Sequence, residues 1–242
     1  MGPIKVTLVN RSELLGDREL VKGARALQHQ LSNDFGPAWG VEARLGVLQP
    51  RRGRQGVVAA RSWVLAFFDE GVDPRGRGFH DLSSDGLPLG VVFAGSGGKL
   101  RPDWTAVASH ELLELLADPY LNRACVTSDV YAVEVADPVE TDTYEIDGLP
   151  VSNFVLPAWF GAGPGTRFDR MGTLSRPLEL RPHSSIGVYD TTARRWSERV
   201  NRREENLLAA EAETIAEAPA GAGPEKLRRL GTVSYTHLTL PT

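Results

Sequence analysis

Sulfur is scarce in this chain: one cysteine, Cys125, and two methionines among 242 residues. A lone cysteine excludes an intramolecular disulfide and a thiolate metal cage, and it fits a reducing compartment. Neither sign of charge dominates, since 27 Lys and Arg stand against 31 Asp and Glu for a net charge of −4. That balance lacks the basic surplus of a nucleic-acid binder. The short clusters Arg51-Arg52-Gly53-Arg54 and Arg202-Arg203 read as solvated surface. No apolar run approaches the roughly 20 residues of a membrane helix. The opening Met1-Gly2-Pro3-Ile4-Lys5-Val6 does not read as a signal peptide. The expectation is a soluble protein, cytoplasmic or phage-associated, with no nucleic-acid or membrane partner. What is present is ordinary for a globular protein: 41% hydrophobic and 24% charged residues, at a length that buries a substantial core.

No internal repeat organises the chain. Residues 1–200 read as a single α+β domain, 201–218 as an Ala/Glu-rich C-terminal helix, and 219–242 as a linker followed by a non-native tail. The tail, Val233 to Thr242, resembles a translated sequencing-adapter remnant, so His237 carries no functional weight. Alternation predicts strands at Ile4–Val9, Val41–Leu48, Trp63–Phe68, Leu89–Ala94 and Val130–Val135. Tyr144 to Val151 predicts a hairpin turning at Asp147-Gly148, and Ile186–Tyr189 with Arg195–Val200 a last strand pair. Helical spacing predicts helices over Asp17–Leu31 and Pro102–Ala117, the second stopped by Pro119. Asp69 to Pro88, dense in Gly, Asp, Ser and Pro, reads as a long loop.

Within the second helix lies Ser109-His110-Glu111-Leu112-Leu113-Glu114. With His110 at zero, a step of about 100° per residue puts Glu114 near ~40°, Asp118 near ~80° and Glu111 near ~100°. Leu112, Leu113 and Leu116 fall on the other side, which is core. The polar side faces either water, as amphipathic helices commonly do, or a cleft. In the second case His110 and Glu114, one turn apart, replace the two histidines of H-E-x-x-H, and Glu111 is the general base. A carboxylate is an accepted zinc ligand. Asp118 lies about 12 Å further along the axis, which assigns it to the helix end or a supporting role. His80, with Asp81, is a candidate proton donor or orienting group. Tyr144 is a candidate substrate-binding or oxyanion-stabilising hydroxyl.

The stretch Ser109 to Glu114 followed by Asp118-Pro119 resembles a group of bacterial and phage-associated proteins with an S-H-E-x-x-E-x-x-x-D-P motif. Asp137-Pro138-Val139-Glu140, Ile146-Asp147-Gly148 and Val151-Ser152-Asn153-Phe154 through Pro157-Ala158-Trp159-Phe160 are similar to that group's second block. The likeness spans roughly Gly90 to Tyr189, and it extends to the zincin metallopeptidase fold. That resemblance implies a mixed twisted sheet with the active-site helix under an edge strand, followed by a β-rich C-terminal part. It assigns Leu89–Ala94 to the edge. It also implies a third metal ligand downstream, Glu134 first by analogy with gluzincins, with Asp137 and Glu140 as rivals. One divalent metal is expected, zinc first; an oxygen-rich donor set also admits manganese, magnesium or calcium. Two functions follow: a metal-dependent hydrolase acting on a peptide or other amide, or a non-catalytic zincin-like structural or interaction domain. Glu114, where zincins carry histidine, separates them.

Overall fold

A computed structural model describes residues 2–48, 62–71, 76–161 and 165–202. In chain order these form β1 (Ile4–Asn10), α1 (Asp17–Gln30), α2 (Gly36–Trp39), β2 (Ala43–Leu48), β3 (Trp63–Phe68), β4 (Gly78–Leu82) and β5 (Pro88–Phe93). The two-residue strands β6 (Gly95–Ser96) and β7 (Lys99–Leu100), α3 (Trp104–Ala117), β8 (Ala124–Val126) and β9 (Val130–Ala132) follow. The last strands are β10 (Thr143–Ile146), β11 (Leu149–Ser152), β12 (Ser185–Asp190) and β13 (Arg195–Val200). This is an α+β chain with few helices and several sheets. The expected helix over 201–218 and the tail over 219–242 fall, apart from the first two residues, outside the described residues. Among the described residues no helix is long and apolar enough to cross a membrane.

Two compact units divide the chain. The first takes its described residues from 2–122 together with Thr143–Ser152, the second from Arg123–Asp142 and 153–202.

In the first unit five strands form one mixed sheet in the order β2-β1-β3-β5-β4. β1 runs parallel to β2 and to β3, and β3 parallel to β5, whereas β4 is antiparallel to β5. Every residue of β5 is buried, as the near-continuous apolar run of a strand covered on both faces requires. Leu89, Val91 and Phe93 point to one face and gather Val64, Phe68 and Phe79 into a cluster. α1 packs on β1 and β2, and α3 packs on β4, β5 and β11.

Two expectations are corrected here. Asp69–Pro88 is not all loop, because Gly78–Leu82 forms β4. The sheet edge is therefore β4, and Leu89–Ala94 supplies the interior strand β5. Tertiary pairing made the difference: β5 offers a free edge to a segment whose Gly, His and Asp give little strand propensity of their own.

β10 and β11 form the expected hairpin, with Ile146 opposite Leu149. Asp147 and Gly148 take φ of 53° and 70°, the two left-handed positions of a type I′ turn, which Asp-Gly tolerates. Ile146 and Val151 bury against Ala26 of α1.

A buried polar network also joins hairpin, α1 and α3. Gln30 donates to the Ser152 carbonyl at 2.9 Å and to the Tyr144 hydroxyl at 3.1 Å. Ser109 donates to Gln30 Oε1 at 2.6 Å and accepts from Ser152 N–H at 3.1 Å. Buried polar atoms satisfied this fully specify one arrangement, and they fix which way α3 is turned.

The second unit carries a four-stranded antiparallel sheet, β13-β12-β9-β8. Phe154, Val155 and Trp159 are fully buried. Asp169, also fully buried, accepts from Asn153 Nδ2 at 2.8 Å and from the backbone N–H groups of Met171, Thr173 and Leu174 at 3.1, 3.1 and 2.9 Å. Burial alone would raise its carboxyl; the donors, Asn153 foremost, outweigh that and hold it below the ordinary carboxylate range.

Candidate metal and acid–base site

α3 is entered through Pro102 and Asp103 and ends at Asp118, before Pro119. Arg77, just ahead of β4, forms an ion pair with Asp103 and ties the edge strand to the start of the helix. Trp104 meets Phe67 of β3 edge-on. Of the fourteen helix residues all but His110 are buried. The polar side therefore does not face open water: Glu111 is 6% exposed, Glu114 3% and Asp118 6%. A helix covered all round is the pattern of an interior helix rather than a surface one.

His110 Nε2 lies 3.2 Å from Glu114 Oε2, the one-turn pairing that residues four apart allow. His80 arrives from β4. Side chains alternate along a strand, so Phe79 joins the apolar cluster on one face while Gly78 and His80 face α3. His80 Nδ1 is 3.5 Å from Glu114 Oε2 and 3.8 Å from Glu111 Oε2. The imidazole is 9% exposed, so the sequence feature read as loop is a buried member of the site.

Gly78 explains how the strand comes so close. A Cβ at this position would sit 2.6 Å from Glu111 Oε1, 2.7 Å from Glu111 Cγ and 2.8 Å from the Val91 carbonyl oxygen. Only glycine lets the β4 backbone rest directly on the Glu111 carboxylate. Burial pushes the Glu111 carboxyl above its ordinary range; the neighbouring His80 and His110 oppose the shift and the negative Glu114 adds to it.

The remaining expected residues fall as follows. Asp118 closes α3, and its Oδ1 accepts from Asn122 N–H at 3.0 Å. Tyr144, expected as a substrate-binding hydroxyl, sits on β10 and donates to Asp34 Oδ2 at 2.8 Å while accepting from Gln30. Glu134, Asp137 and Glu140 belong to the second unit. Glu134 lies beyond the end of β9, which stops at Ala132 rather than Val135. Asp137 begins a 3-10 turn that ends before the exposed Glu140.

Comparison with known proteins adds no relative: no protein-family model, no curated protein and no solved structure matches the chain.

Proposed function

We propose that this chain is a metal-dependent hydrolase of the metallopeptidase kind, with a zincin-like first unit, acting on a peptide or other amide bond. One observation carries the reading: an imidazole and two carboxylates are drawn together on one interior helix, His110 with Glu114 at 3.2 Å and Glu111 beside them. Removing carboxylates from water costs several kcal/mol per ion unless an opposite charge compensates. A bound cation is the compensation that also explains the donor types. The spacing fits: two donors on one ion with bonds of about 2.0–2.2 Å stand about 3.3 Å apart in tetrahedral geometry, and 3.2 Å is longer than a good charge-assisted hydrogen bond. An edge strand lying against the helix is the arrangement that the zincin resemblance implies, with β4 in that place.

In this reading His110 and Glu114 hold the metal. On sequence grounds alone, one of Glu134, Asp137 and Glu140 is the third protein donor. Zinc is the first choice, with manganese, magnesium and calcium as the oxygen-preferring alternatives. The ion, when bound, supplies Lewis acidity toward the scissile carbonyl. Glu111 accepts a proton from the attacking water and returns it to the leaving amine.

A non-catalytic, zincin-like interaction module is favoured by a different observation, the close cover of β4 over Glu111 at Gly78. The two readings separate on Glu111. Purified protein should hold close to one equivalent of metal by elemental analysis, lost in Glu114→Ala and His110→Ala. Glu111→Gln should keep the metal and lose hydrolysis of a peptide library. Wild-type protein that binds no metal refutes the hydrolase reading; metal binding with no hydrolysis that depends on Glu111 favours the module.

A further inference from the structure

We infer that His80 is a positioning residue of the α3 site, an imidazole carried on the edge strand to set the orientation of Glu111 and Glu114 together. The inference rests on the metal-site reading above and adds the element that holds its carboxylates in place.

Glu111 and Glu114 are three residues apart on one helix and both buried, so two carboxylates share one side of α3 close together. Left alone, two like-charged side chains held this close would turn apart. His80 Nδ1 lies within 3.5 Å of Glu114 Oε2 and 3.8 Å of Glu111 Oε2, so one nitrogen addresses both carboxylates. Its reach is set by the backbone: His80 pairs with Gly90 and Gly78 with Val92 in the β4–β5 register, and Gly78 lets that register close onto α3. His110, the other imidazole, approaches Glu114 from the helix itself. From α3, the charged groups that face His80 are Glu111 and Glu114. From β4, Asp81 points to the opposite face by alternation; β5 contributes only apolar residues and glycine.

Partners that orient ligating carboxylates commonly change metal affinity by about 10- to 100-fold when removed. The full-length protein, loaded with cobalt(II) or zinc, tests the role by chelator competition and by the visible spectrum of the cobalt form. His80→Ala is expected to weaken binding by about 10- to 100-fold and to shift the cobalt bands. His80→Asn, whose amide nitrogen takes the place of Nδ1, is expected to restore most of both, and His80→Gln, which extends toward the other ring nitrogen, is expected to restore less. If His80→Ala fails to fold, the Asn and Gln variants carry the comparison. Wild-type affinity and spectrum in His80→Ala, or equal behaviour of Asn and Gln, overturns the inference while leaving the metal site standing. Loss of one imidazole from the metal's coordination shell, counted by X-ray absorption in His80→Asn, overturns it by making His80 a ligand. A wild-type protein that binds neither ion removes the metal-site reading, and this inference with it.

Discussion

Replacing Gly78 by alanine is the most direct test of whether the edge strand closes on Glu111. Gly78 does not adopt a left-handed backbone, so alanine would ordinarily stabilise the strand by about 0.4–1 kcal/mol through the unfolded chain. The new methyl carbon would instead stand 2.6 Å from Glu111 Oε1 and 2.8 Å from the Val91 carbonyl oxygen. The carboxylate is buried and the carbonyl belongs to the β5 backbone, so neither gives way freely. Overpacking of this kind costs about 1–3 kcal/mol, enough to reverse the sign. Gly46 of β2 is the internal control, because a Cβ there meets nothing within 4 Å; Gly46→Ala should be neutral or stabilising. Urea unfolding of both variants measures the contrast. Truncating Glu111 to alanine removes two of the three close contacts but leaves Val91, so the double variant should recover part of the loss, a coupling of about 0.5–2 kcal/mol. Equal stability of Gly78→Ala and Gly46→Ala would refute the close approach of β4 to Glu111.

Metal-free Glu111→Gln should be at least as stable as the wild type at neutral pH. A carboxyl raised by burial contributes stability below its unfolded value and loses it as pH rises through the folded one; parallel thermal melts across pH check the sign. Asp169 behaves oppositely, since its folded carboxyl is lowered: its stabilisation is present above roughly pH 4 and is lost as pH falls further. Asp169→Asn should cost about 2–4 kcal/mol at neutral pH, and its unfolding should depend less on acid than that of the wild type. Ser109→Ala deletes the hydrogen bonds to Gln30 and Ser152 and should cost about 1–3 kcal/mol by chemical denaturation.

Much of the scaffold was legible because local rules and tertiary needs agree in it. The alternation of Ile4-Lys5-Val6-Thr7-Leu8-Val9, the Asp147-Gly148 turn and the Pro119 stop each rest on chemistry confined to a few residues. β4 was not legible. Its Gly78, His80 and Asp81 are poor strand formers, and only the exposed edge of β5 makes them a strand. The same reason hid the depth of the polar helix face, since helical angles tell which residues share a side and nothing about what covers that side.

The sequence by itself determined which groups α3 presents together, because a one-turn spacing places His110 against Glu114 wherever the helix goes. Tertiary structure decided that this face is interior, that His80 joins it from the edge strand, and that Gly78 allows the approach. Those contacts link residues some thirty positions apart. Their energy is set by packing and by desolvation, which no local pattern of side chains encodes.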